Sequence, residues 1–387
     1  MLSTPPKTSA QSRAATHCDI AMLYASLELS STTWLVTSLA PGSAKMSKHR
    51  IEGGDSCGLL DLLRRLQSKD AKRLGAPVRI VTIQEAGFDG FWLDRLLKSE
   101  CIESHVVDAA SVAVPRRRRR AKTDRIDGEL LLRTLLVWLR GEPRVCSMVV
   151  PPSSEEEDRR RLARERDILV EERTAHTNRI AGLLSTQGIR GYRPLRRDCR
   201  ARLEELETGD GRPLPPKLKA EIGRELDRLE LVKQQIAEVE AARDDLLIAE
   251  DRSPGKLLLQ LRSIGPEIAS VLWLEGLYRH FDNRRQLAAF SGLAPSPWRS
   301  GKIDHEQGIA KSGNAKLRST MIELSWLWLR YQPDSELSRW FQERVCGKNT
   351  RRYRKITIVA MARKLLIALW RYVTEGIVPE GAVMKAG

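Results

Sequence analysis

From Leu23 onward, apolar and polar residues alternate in short runs: LYASLEL (23–29), TTWLVTSLA (32–40) and a weaker KHRIEGG (48–54). A period of two predicts strands, and three short ones joined by tight turns predict an antiparallel meander. The period then changes. Leu59, Leu62, Leu63 and Leu66 recur at helical spacing within residues 58–74. The apolar run PVRIVTI (77–83), a helical stretch over 88–98 and the strand pattern IESHVVD (102–108) follow. Strands that alternate with helices predict a βαβ arrangement with at least partly parallel pairing. A meander feeding a βαβ half is the order of an α/β RNase H-like fold.

Residues 155–250 are dominated by Glu, Arg, Leu and Ala. Leu226, Leu229, Val232, Ile236, Val239 and Leu246 follow steps of three and four, interrupted by Arg243, which predicts the seam of a long helical coiled-coil arm or hairpin. GIRGYRPL (188–195) and GDGRPLPP (209–216) carry the turn signals that divide it into an outgoing and a returning limb. Such an arm serves either as a solvated spacer or in dimerisation and nucleic-acid positioning. From Ser253 a third region holds six of the nine tryptophans, chiefly as core residues, and reads as mostly α-helical. Within it LRSIGPEIASVL (261–272) has a helix-hairpin-helix-like pattern, in which Gly265 lets the backbone approach phosphate. The expected domains are therefore a disordered leader (1–21, or translation starting at Met22), an α/β domain (22–150), the arm (151–252) and a C-terminal domain (253–387).

Charge adds a partner to this picture. The 387 residues carry 66 Lys+Arg against 50 Asp+Glu, a formal net charge of +16. In a chain with globular composition, that surplus points to a polyanion, nucleic acid first, because cations that neutralise phosphates release condensed counterions. No apolar window is long enough for a membrane span. The six cysteines are scattered without a CxxC pair, which excludes a zinc signature and a small disulfide scaffold and fits a reducing cytoplasm.

Phosphodiester chemistry on Mg²⁺ needs carboxylates that converge from different elements, since this hard cation takes oxygen ligands. Glu28 ends the first predicted strand and Glu85 follows the strand VRIVTI. In KTDRIDGELL (122–131) Asp124 and Asp127 stand three apart at a helix start, on one face, where capping is the competing role. Asp89 and Asp94 lie close to Glu85 in sequence and compete with it for the role. Just before the paired aspartates come Arg116, Arg117, Arg118, Arg119, Arg120 and Lys122, a run suited to contacting phosphates that enter such a site.

EAG (85–87), KTDRID (122–127) and the C-terminal series IGPEIAS, RQLAAFSGLAP, SGK and GIAKSGNAKLR occur in this order. Together they resemble the DEDD-type transposases of bacterial insertion sequences, a family of bridge-RNA-guided serine recombinases. The resemblance spans nearly all of the chain after residue 22. It implies a RuvC-like N-terminal domain in which Glu28, Glu85, Asp124 and Asp127 bind Mg²⁺, with Glu28 standing where the family usually has Asp. It also implies a serine nucleophile in the C-terminal domain. Ser300, in WRSGK, matches best, ahead of Ser296 and Ser312. Gly265, Lys302, Lys311 and Arg318 fall in segments implied to contact nucleic acid. The implied partners are DNA, as element ends and target, and a structured noncoding guide RNA, with the protein acting as a homodimer or homotetramer. Two other functions remain compatible with the residues: a metal-dependent Holliday-junction-type nuclease that uses water, and a non-catalytic nucleic-acid-binding protein.

Overall fold

The computed structural model describes residues 20–87, 91–112, 124–142, 144–249, 253–300, 303–309, 313–347 and 350–385, and at 110, 124–127, 296–300 and 303–307 the backbone alone. Most of the predicted leader, the basic run from Arg116 to Lys122, and Lys302, Lys311 and Ser312 lie outside the described residues. The chain divides into two compact units, Met1–Pro152 and Ser153–Gly387.

The first unit is built on a six-stranded mixed sheet. Strands β1 (Ala21–Glu28), β2 (Thr33–Leu39) and β3 (Met46–Glu52) form an antiparallel meander. Helix α1 (Ser56–Leu74) leads into β4 (Val78–Glu85), and α2 (Trp92–Ser99) into β5 (Glu103–Val107). Both strands run parallel to β1, and the spatial order is β3-β2-β1-β4-β5-β6. Helix α3 (Asp124–Leu139) precedes the short antiparallel edge strand β6 (Met148–Val149). Asp55 caps α1 by accepting from Gly58 N at 2.8 Å, and Gly75 ends the helix at φ 64°, a conformation that costs a side-chain residue more than glycine.

Alternation along the strands assigns each face of this sheet. Leu23, Ala25 and Leu27 of β1 and Val78 and Ile80 of β4 pack under Leu59, Leu62 and Leu63 of α1 and Leu93 and Leu97 of α2. Val81 and Ile83 point the other way, against Leu131 and Leu135 of α3. Strand β4 is covered on both faces, which explains why its sequence reads as a continuous apolar run rather than an alternation.

In the second unit, α4 (Ser154–Ser185) and α6 (Pro216–Ile248) form a long hairpin, with α5 (Cys199–Glu204) at its distal end. The hairpin is antiparallel: Arg166 pairs with Glu240 near its root, and His176 and Arg179 pair with Glu225 further out. Leu169 packs with Val232, Ile236 and Val239, and beyond them Ile180 and Leu184 pack with Ile222, Leu226 and Leu229. Arg243, which breaks the apolar seam in sequence, is buried and bonds to Asp244 and Glu267.

The root of the hairpin joins the C-terminal core. That core comprises α7 (Pro254–Leu259), α8 (Pro266–Leu272), a π-helical turn (Trp273–Leu277), α9 (Arg284–Phe290), the hairpin β7 (Pro295–Ser300) and β8 (Ile303–Ile309), and then α10 (Ala315–Tyr331), α11 (Glu336–Val345) and α12 (Arg351–Glu375). Arg160 of α4 donates to Leu274 O at 2.8 Å with its guanidinium 4.0 Å over the Tyr278 ring, and Lys316 of α10 donates to Ala163 O and Asp167 of α4. Leu247 at the end of α6 sits in the same core as Trp273 and Trp328. The hairpin and the C-terminal region thus form one unit.

Candidate active site

Strand register brings two of the predicted carboxylates side by side. Leu27 pairs with Gln84 in the parallel β1–β4 ladder, so Glu28 and Glu85, one residue further on, close adjacent strands at about 4.8 Å lateral spacing. Both belong to the period-two set that faces α3, as Tyr24 and Val81 do further back along the same strands. Glu28 is half-buried, and Glu85 is exposed at the end of its strand.

The third element arrives through α3, which begins at Asp124 and carries Asp127 one turn later. Its first turns are tied down near the carboxyl end of β1 and to β3. Ser26 Oγ donates to Gly128 O at 2.7 Å, and Lys48 Nζ of β3 donates to Glu129 Oε1 at 2.7 Å. At Gly128 the approach is so close that an added Cβ would lie 2.5 Å from Thr37 Oγ1 and 2.8 Å from Glu28 Oε1. Glycine inside a helix costs about 1 kcal/mol relative to alanine. Here it allows the helix start to sit directly against Glu28. Asp124 and Asp127 are therefore carried by the backbone segment that abuts Glu28, and their side chains lie outside the described part. Among the described side chains, no group of three His, Cys, Asp or Glu residues gathers at metal-binding distance.

Ser26, Thr37, Lys48, Gly128 and Glu129 were not among the residues predicted from sequence. Gly128 alone left a trace there, as a glycine directly after the second aspartate of KTDRID in an otherwise helical stretch.

The other predicted residues lie in the second unit. Ser300 is the last residue of β7 and pairs with Ile303 across the hairpin turn. Arg318 lies half-buried on α10. Gly265 is the N-cap of α8, with extended backbone at φ −93° and open space where a Cβ would stand. The turn before α8 differs from the expected glycine hairpin: its left-handed residue is Ser263, at φ 131°. Pro266 at the first helical position removes an N–H, and Glu267 in the first turn already pairs with Arg166 and Arg243.

The profile described as "Transposase IS116/IS110/IS902 family" matches residues 255–338, which span α7 to α10 and the β7–β8 hairpin. A transposase-family protein of Sinorhizobium fredii, y4rJ, is 56% identical over 383 residues, covering 96% of each chain. A Pseudomonas aeruginosa protein named as a family 20 transposase is 32% identical over 54% of this chain and 60% of its own. The transposase for insertion sequence element IS1328 of Yersinia enterocolitica is 30% identical over 56% and 63%. The chain belongs to the IS116/IS110/IS902 family of transposases. No helix among the described residues is long and apolar enough to cross a membrane.

Proposed function

We propose that this protein is the DNA transposase of an insertion sequence and that it cuts and rejoins DNA with the carboxylates of the first unit and a serine of the second. The observation that carries the reading is the meeting of Glu28, Glu85 and the start of α3 at one end of one sheet face. An antiparallel meander followed by strands parallel to its first member is consistent with an RNase H-like, RuvC-like fold, in which such a strand-end cluster is the expected place for the chemistry.

The donor set fits a hard divalent cation: carboxylate oxygens drawn from two strands and a helix, beside a backbone approach with no spare volume. Glu28, Glu85, Asp124 and Asp127 would hold Mg²⁺, which when bound supplies charge stabilisation to phosphate oxygens. The chain's own residues do the rest. Ser300 Oγ attacks phosphorus, a serine–phosphate ester forms as the bond to the sugar oxygen breaks, and the serine proton ends on the released hydroxyl. Reversal on a second DNA end restores the serine and joins the strands. Glu28, one methylene longer than aspartate, has room for its carboxylate beside α3 because position 128 carries no Cβ.

The reading extends to a guide RNA, implied by the family resemblance, which would supply sequence specificity by base pairing. The basic run from Arg116 to Lys122 lies just before Asp124 in sequence, where it would contact the phosphates fed to the carboxylates. Lys302, Lys311 and Arg318 would contact backbone around Ser300. Plasmid excision in the presence of the element's own DNA tests the proposal. Glu85→Gln and Asp127→Asn are expected to abolish Mg²⁺-dependent excision while leaving DNA binding intact; wild-type excision by either variant would refute the carboxylate assignment.

A further inference from the structure

Helix α1 lies on the sheet face opposite the carboxylates, and its outer surface is organised around charge. Leu59, Leu62 and Leu63 are buried beneath it, while Asp61, Arg64, Arg65, Ser68, Lys69 and Lys72 line one open depression above. Two cations of the helix are already engaged: Arg64 pairs with Glu100 at 2.5 Å, and Arg73 with the buried Asp70 at 3.2 Å. Arg65, Lys69 and Lys72 have no ion pair among the described residues and are exposed. Their spacing of four and then three residues places them in a row along one helix face, where like charges disfavour the helix that carries them. At 1.5 Å rise per residue, the row is about 10 Å long. That length corresponds to roughly three base-pair steps of rise along a duplex axis.

A second element faces the same row. His49 of β3 lies on the α1 side of the sheet, with its Nε2 3.4 Å from Ser38 Oγ. Burial, and then the positive charges of Arg65 and Lys69, hold its imidazole below the ordinary histidine pKa. The sheet edge thus shares the field of the unpaired cations. Helix α1 contains no aromatic side chain on which an unpaired base could stack, which disfavours single strands as the occupant.

We propose that Arg65, Lys69 and Lys72 form a binding surface for the sugar–phosphate backbone of duplex DNA, separate from the strand held at the carboxylates. The inference rests on the reading of this chain as a DNA transposase only for the choice of DNA over RNA. With α1 and α3 on opposite faces of one sheet, a duplex on α1 is not the segment being cut at Glu28 and Glu85. The surface holds flanking or partner DNA without reading its sequence.

The test uses the full-length protein with Arg65→Gln and Lys69→Gln combined. These are exposed helix positions where glutamine is well tolerated. Binding of a short blunt DNA duplex, the same sequence as duplex RNA, and its single strand is measured against salt. The DNA-duplex salt dependence is expected to lose about 1.8 units of slope, for two phosphate contacts, equally for unrelated sequences. A second readout follows the His49 imidazole by NMR, assigned with His49→Gln. Duplex DNA should raise its pKa in the wild-type protein and leave it unmoved in the double variant. An unchanged salt slope, a His49 titration indifferent to duplex DNA, or a larger response to RNA or single strand would overturn the proposal. Absence of excision by the wild-type protein, with the duplex slope still reduced in the double variant, would sink the transposase reading and leave this surface standing.

Discussion

Ser26 and Gly128 are 102 residues apart in sequence, yet Ser26 Oγ donates a buried 2.7 Å hydrogen bond to the Gly128 carbonyl. That bond fixes the start of α3 to the strand that ends in Glu28. The separation between Glu28 and the aspartates of α3 is set there, by backbone contact rather than by long side chains.

Gly128→Ala is expected to fold and to lose excision on the order of 10²-fold, because the new methyl displaces either Glu28 or the helix start. Gly182→Ala is the control. That glycine lies on α4 with open space around it, and the change should stabilise the protein by about 0.5–1 kcal/mol without affecting excision. Thermal melts and plasmid excision, measured in parallel, check both.

Glu225 sets the acid stability of the hairpin. Its carboxylate, 4% exposed, accepts from His176 Nδ1 at 2.7 Å, Arg179 at 3.0 Å and Arg228 at 2.5 Å. Burial pushes its pKa up, but the hydrogen bonds of His176 and Arg179 and the charges of Arg179 and Arg228 outweigh burial and hold it below the usual glutamate range. A carboxyl lowered in the folded state adds stability above its unfolded pKa of about 4.3 and loses it as the pH falls through the folded value. Urea unfolding of Glu225→Gln should show weaker acid dependence than wild type and about 1–3 kcal/mol less stability at neutral pH.

Arg160 joins the hairpin to the C-terminal core through the Leu274 carbonyl and the Tyr278 ring. Arg160→Met keeps the stem and removes both contacts. A loss of about 2–4 kcal/mol in the second unit is expected, with the unfolding of the first unit unchanged. Denaturant melts followed by limited proteolysis separate the two transitions.

Local periodicity revealed much of the first unit. The runs at 23–29 and 32–40 correspond to β1 and β2, and Leu59, Leu62 and Leu63 form the buried face of α1. The limbs of the hairpin were legible from the steps of three and four along α6, and its division from the Gly- and Pro-rich segments. The β7–β8 hairpin was not, because PSPWRS contains two prolines and lacks a β-branched alternation. The helix expected from residue 88 starts at Trp92, and the glycine turn expected at Gly265 has its left-handed residue at Ser263. Glu28 and Glu85 could be nominated from sequence as strand-end carboxylates. Their adjacency could not, because it depends on a ladder between residues 57 positions apart, and the roles of Ser26, Thr37 and Lys48 depend on the same long-range packing.

Ser300 and the carboxylates belong to different units, so the reaction admits a site completed by a second protomer. Mixing Ser300→Ala with Asp124→Ala chains is then expected to restore excision that neither variant performs alone. Sedimentation of the mixture should show a dimer or tetramer. Failure of the mixture to recover, with both variants folded and oligomeric, would place serine and carboxylates in the same chain.

The most direct test of the central claim is trapping of the protein–DNA adduct on a denaturing gel with labelled element-end DNA and Mg²⁺. Wild-type protein should carry label into the protein band. Ser300→Ala should abolish the adduct, and Glu85→Gln should reduce it below detection. An adduct that persists in Ser300→Ala, or cleavage by the wild-type protein without any adduct, would contradict a serine nucleophile served by the carboxylates at the ends of β1 and β4.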